Sequence, residues 1–203
     1  EEVVHDLATK IYKSQDNKMI VKSVLFHVYH HAINGRYATA KNYLLMAHIP
    51  DIAQSLDSST QIIYNRVLVQ LGLSAFNLGL IQESVDCLSD IYGTGRLREL
   101  LGQGIAKMST NEKEERRRML PYHMHLSIEV IESVHLIASM LIEIPLQAAE
   151  KYTPHKKLPY RSFVKMYEHY KNFYGPPETA RDYIFVAAKE LHQGNWKRCY
   201  ELL

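Results

Sequence analysis

One piece of punctuation recurs three times along this chain. Gly35-Arg36-Tyr37 leads into Ala40, Tyr43 and Leu44; Gly79-Leu80-Ile81 into Ser84, Cys87 and Leu88; Gly194-Asn195-Trp196 into Cys199, Leu202 and Leu203. Each glycine is followed at +2 by a large apolar residue, at +5 by a small one, and at +8 and +9 by one more helix face. Glycine enters the left-handed conformation without a Cβ clash, so it ends one helix and lets the next begin. The large residue then wedges into the crease, and the small one lets the paired helices approach. The pattern predicts an all-α fold, a right-handed solenoid of helical hairpins in which each repeat buries its apolar face on its neighbours. Stacks of this kind serve mainly to bind other macromolecules.

Composition narrows the class further. With 203 residues, 46% of them hydrophobic, the chain can bury a sizeable core as a single helical-repeat segment over 1–203. Lys and Arg exceed Asp and Glu by only two charges, so any basic surface has to be local. Cys87 and Cys199 fall in the apolar or small slots of two different repeats, where a thiol acts as a small hydrophobe. A disulfide is not expected, and a reducing cytoplasm is the natural compartment. The start at Glu1-Glu2-Val3-Val4 has no signal-peptide character, and it and the end at Glu201-Leu202-Leu203 both read as cuts within a longer protein.

Residues 122–144, bracketed by Pro121 and Pro145, are apolar enough to raise the question of a membrane. Glu129, Glu132, Glu143 and three histidines interrupt them, and no uninterrupted run approaches the ~20 residues a span requires. A buried helix is expected instead, with Leu126, Val130, Val134, Ile137, Leu141 and Ile144 as its core stripe and Ile128, Ile131, Ala138 and Ile142 widening it. Helices are expected at roughly 2–14, 19–34, 36–48, 60–78, 81–91, 96–108, 111–118, 121–144, 146–152, 160–174, 178–192 and 195–203. Ser109-Thr110-Asn111-Glu112 has capping-box spacing, and Gly175-Pro176-Pro177-Glu178 is a stop followed by a start. Gly72, Gly102 and Gly104 fall inside helical patterns and predict close helix contacts.

No constellation for chemistry emerges. His27, His30 and His31 include a pair at i, i+4, yet no Glu follows in metalloprotease order and no third ligand is spaced to join them. Packing at a repeat turn is the better reading. Gly93-Thr94-Gly95-Arg96 lacks the third glycine of a dinucleotide loop, since Arg98 stands there, and reads as a loop closing one repeat or as an anion contact near Arg96. Arg116-Arg117-Arg118 follows Glu112, Glu114 and Glu115, so it forms either a self-neutralised helix face or a set of guanidinium forks for phosphate. The aromatic series Tyr160, Phe163, Tyr167, Tyr170, Phe173 and Tyr174 has the +3, +4 spacing of a core stripe, with a base-stacking platform as the alternative. No catalytic residue, cofactor, metal or small-molecule substrate is expected.

Five blocks carry a resemblance: HHAINGRYATAKNYLLMAHI (30–49), QIIYNRVLVQLGLSAFNLGL (61–80), GRLRELLGQGIA (95–106), ERRRMLPYHMHLSIEVIESVHLIASMLIEIP (115–145) and GPPETARDYIFVAAKELHQGNWKRC (175–199). Together they resemble the c-subunit family of eukaryotic translation initiation factor three. The resemblance implies the central helical-repeat region of a PCI-type scaffold, with TPR-like hairpins that lead into a winged-helix module. That module and the family's acidic N-terminal tail are expected to be missing from 1–203. The implied partners are the a subunit, the other subunits of the complex, and the protein and rRNA of the small ribosomal subunit. By the same resemblance, Arg116, Arg117 and Arg118 are the foremost candidates for RNA contact; local charge makes Arg96 and Arg98 the next. A PCI scaffold subunit of another assembly, such as the proteasome lid or signalosome, is the alternative. Trp196, as the third wedge, is expected to be buried, with Trp196→Ala costing roughly 3–5 kcal/mol.

Overall fold

The three glycine turns share one hydrogen-bond pattern in the computed structural model, which describes residues 2–14, 16–103, 126–148, 161–170 and 175–203. Gly35, Gly79 and Gly194 have φ of +71°, +76° and +87°. The residue after each one turns its N–H back to a carbonyl five positions earlier: Arg36 to His31, Leu80 to Ala75 and Asn195 to Glu190, at 2.9 to 3.0 Å. That bond satisfies a carbonyl the helix would otherwise leave unpaired at its C-terminus. Gly102, expected inside a helix, makes a fourth turn of the same kind: its φ is +66° and Gln103 donates to the Arg98 carbonyl at 2.8 Å. A Cβ on Gly79 would meet nothing within 4 Å, so only the backbone opposes a side chain there. Gly79→Ala should therefore lower stability by about 1–2 kcal/mol, the cost of the left-handed conformation. A urea melt beside the parent protein measures it.

Every regular element among the described residues is helical. In order they are α1 (Glu2–Tyr12), α2 (Asn17–Ile33), α3 (Tyr37–Met46), α4 (Ile49–Ile52), a 3-10 turn (Ala53–Ser55), α5 (Ser58–Asn77), α6 (Ile81–Tyr92), α7 (Leu97–Leu100), α8 (Ile128–Ala148), α9 (Arg161–Tyr170), α10 (Ala180–His192) and α11 (Trp196–Leu202). The glycine turns join α2 to α3, α5 to α6 and α10 to α11, and each of these pairs packs together. Contacts otherwise run close to chain order: α1 on α2, α2 on α5, α6 on α8, α8 on α9 and α10. The expected helix over 96–108 is only the single turn of α7 before Gly102 ends it. The helices expected over 111–118 and most of 146–152, the capping box at 109–112 and Gly104 lie outside the described residues.

Within the repeats the small residue is the reliable signal and the large one is not. Ala40, Ser84 and Cys199 are all buried. Tyr37 is buried and Ile81 half-buried, but Trp196 is 65% exposed. The expectation that Trp196 is a buried wedge is therefore wrong: α11 turns Cys199 toward α10, and the indole stands on the outer side with the Lys197 ammonium 5.7 Å from its ring centre. Trp196→Ala should cost less than about 1 kcal/mol in a denaturant melt, as expected of a surface position. Gly72, in contrast, is held by a close approach, since a Cβ there would lie 2.7 Å from the Leu88 Cγ.

Helix α8 departs most from its sequence pattern. It continues through Pro145, where a break was expected. Pro145 and Leu141 are both exposed, so the carbonyl released by the missing N–H can be hydrated. Val130 and Leu141, expected in the core stripe, are on the surface, whereas His135, Ser139 and Glu143, spaced by four, are buried. A polar row thus runs down the inside of the most apolar helix. The core stripe of α9 matches expectation, with Phe163 and Tyr167 buried and Tyr170 packed against them; Tyr160, Phe173 and Tyr174 lie outside the described residues.

Candidate interaction surface

The joint between the first two glycine hairpins is made by the first wedge. The buried Tyr37 hydroxyl donates to the Glu83 carboxylate at 2.8 Å, and the Lys41 ammonium, one turn further along α3, pairs with the same oxygen. Those two partners, Lys41 first, hold the Glu83 carboxyl below its ordinary range. Burial, reinforced by Glu83, pushes the Tyr37 hydroxyl up. One carboxylate on α6 therefore fixes α3 in register. A second joint is made by Arg66, which is buried on α5 and donates through Nε and Nη2 to the Leu101 carbonyl at 3.1 and 2.9 Å, while Asn65 reaches the Leu100 carbonyl at 3.0 Å. These bonds satisfy the last carbonyls of α7, so a single helical turn stays docked.

Between α8 and α10 lies a groove of about 760 Å³ whose described walls carry Glu129, Glu132, Glu178 and Asp182 against the cation Arg181. Arg181 Nη2 donates to Glu132 at 3.0 Å. Asp182 closes a capping box with Thr179 at the start of α10 and accepts the Tyr170 hydroxyl at 2.7 Å. Those hydrogen bonds, the one from Tyr170 foremost, hold its carboxyl at about 2. The capping box starts at Thr179, three residues past the first proline of the 175–178 signal. The far end of the fold offers the opposite character: Trp196, Tyr200 and Leu203, spaced by four and three, leave an exposed apolar strip along α11 and its end. The sequence pattern missed that strip because it matches an inward-facing one.

The expected contact residues are placed unequally. Arg96 and Arg98 are exposed at the start of α7, a four-residue helix too short to present an anion-binding end, and the Arg96 N–H is turned to the Thr94 hydroxyl at 3.3 Å. Arg116, Arg117 and Arg118 lie outside the described residues. His27 and His31 are buried against Tyr43, as a packing role requires. Among the described residues no three His, Cys, Asp or Glu converge to hold a metal ion, and no helix is long and apolar enough to cross a membrane. Cys87 and Cys199 are both free, with burial raising each thiol's pKa.

Comparison with known proteins places the chain in a family. A family described as "Eukaryotic translation initiation factor 3 subunit 8 N-terminus" matches residues 1–153. The match is to the N-terminal part of that family, which corrects the expectation of a central region. The c subunit of eukaryotic translation initiation factor 3 from Mycosarcoma maydis is 41% identical over 99% of this chain and 24% of its own length. The same-named proteins of Schizosaccharomyces pombe, at 39% over 99% of this chain and 23% of theirs, and of Danio rerio, at 36% over 94% and 22%, are similar in the same way. The chain thus spans about a quarter of the length of these relatives. It belongs to the c-subunit family of eukaryotic translation initiation factor 3.

Proposed function

We propose that this chain is a structural scaffold segment of the translation initiation factor 3 complex, which holds other subunits, the a subunit among them, and meets the small ribosomal subunit in the cytoplasm during initiation. The observation that carries the reading is similarity to the factor's c-subunit family across nearly the whole chain, with the helix-pairing turns inside the similar region. In this reading the hairpins stack as a right-handed TPR-like array over 1–203, and the role is assembly rather than catalysis.

Contact with the ribosome falls to local basic groups, because a chain with a net charge of +2 is not drawn to RNA as a whole. Arg116, Arg117 and Arg118 come first, and exposed Arg96 and Arg98 second. Arginine forks neutralise phosphates without reading sequence, so the binding is salt-sensitive and sequence-blind. The test is a salt series of binding to purified small ribosomal subunits. Replacing Arg116, Arg117 and Arg118 by Ala should weaken binding and flatten log affinity against log salt by roughly 0.7–0.9 per lost phosphate contact. Thermal stability should hardly move. An early-melting variant with an unchanged slope would make the arginines internal struts. Failure of the chain to co-purify with any other member of a reconstituted complex would remove the scaffold reading itself.

A further inference from the structure

Three helices converge on one small cleft at the first hairpin. Glu2, His5 and Asp6 from α1, His27 and His31 from α2 and Tyr43 from α3 line a volume of about 250 Å³. That is room for roughly eight waters at about 30 Å³ each, and so for the end of one long side chain. Flat rings form its walls. His31 and Tyr43 stack 5.5 Å apart and within 8° of parallel; His27 lies 4.8 Å from His31 and 5.1 Å from Tyr43, and His5 lies 5.8 Å from His27. His27 and His31 are buried, while Tyr43 keeps 41% of its surface open to solvent. Glu2 and Asp6 stand one helical turn apart on α1, exposed, and neither has an ion pair among the described residues.

The lining selects its ligand by chemistry. A metal ion is disfavoured because no three donors among the described residues converge on a point. An anion would meet two carboxylates. A plain apolar group would leave both carboxylates unused. A flat cation suits every part of the lining, since a guanidinium stacks on aromatic faces and pairs with carboxylates through its fork. We propose that this cleft receives an arginine side chain of a partner protein. The proposal rests on the scaffold reading above and adds the chemistry of one contact to it.

The test is a nuclear magnetic resonance titration of the 203-residue chain at pH 7.5 with N-acetylarginine amide, and in parallel with the uncharged near-isostere N-acetylcitrulline amide. Saturable shifts of the Tyr43, His27 and His31 ring protons with the arginine compound alone are expected. The double variant Glu2→Gln, Asp6→Asn, altered only at exposed positions, should bind at least about fivefold more weakly, as loss of two modest charge contacts implies. Absent shifts, equal shifts with the citrulline compound, or undiminished affinity in the double variant would overturn the proposal. A failed titration beside intact co-purification with the complex discards the cleft and keeps the scaffold; the reverse pair of results discards the scaffold and keeps the cleft.

Discussion

Acidification from pH 6.5 to 4 will remove about 3 kcal/mol of folding stability through His135 alone, and His135→Phe will abolish that part of the loss. The imidazole is almost fully buried on the inner side of α8, packed 4.4 Å from the Tyr92 ring, and burial lowers its pKa to about 4 from an ordinary 6.5. The folded protein therefore holds His135 neutral where the unfolded chain already binds a proton. Stability from this group is complete above pH 6.5 and is lost as pH falls toward 4. At 1.36 kcal/mol per unit the loss comes to about 3 kcal/mol, roughly a hundredfold in the folding equilibrium. Carboxylates such as Asp57 and Asp182, each held at about 2 by hydrogen bonds, weaken the fold only at lower pH. The measurement is a set of urea melts between pH 4 and 7.5 on both proteins. Phenylalanine keeps the ring against Tyr92, so a parallel pair of stability curves would show that His135 takes up its proton as readily folded as unfolded and sink the argument.

Glu143→Met will raise stability at pH 7 by about 1–3 kcal/mol, the usual penalty of a buried polar group without a partner. Glu143 has no exposed surface, and neither carboxylate oxygen accepts a hydrogen bond from a described residue. Burial pushes its pKa up from 4.5. The sign is opposite to that of His135: the folded state keeps the proton longer, so stability falls as pH rises from 4.5 through the folded-state value and then levels off. The advantage of methionine, similar in volume, should grow over the same interval. A variant less stable than the parent at pH 7 would mean that the folded protein supplies the carboxyl with a partner.

The hairpins were legible because glycine reports on backbone geometry, which depends little on distant context. Gly35, Gly79 and Gly194 all take the left-handed conformation their spacing predicts, and the small residue five positions on is buried each time. Gly102 escaped because its neighbours Leu100 and Leu101 continue an apolar helical period; the carbonyls left where its turn ends α7 are satisfied by Asn65 and Arg66, 35 positions away in the chain. Trp196 and the polar row of α8 failed for a related reason. Period and hydrophobicity say which residues share a face, but which face turns inward is decided by the neighbours: Cys199 against α10 outweighs the indole, and α8, which packs on both α6 and α10, buries Glu143 and leaves Val130 exposed. The cleft of α1, α2 and α3 was visible only as an i, i+4 histidine pair, since Glu2, Asp6 and Tyr43 reach it through tertiary packing.

The near-neighbour order of the helix contacts has a mechanical consequence. Tension applied at the two ends passes mainly through joints such as α2 on α5, α6 on α8 and α10 on α11, reinforced where α5 also touches α8 and where Tyr37 and Lys41 of α3 bond Glu83 of α6. A molecule loaded in series yields at its weakest link first, and stability that is a sum of neighbour terms gives way in instalments rather than at once. Such a body can lengthen by opening one joint while the others hold, so its extension under load is graded.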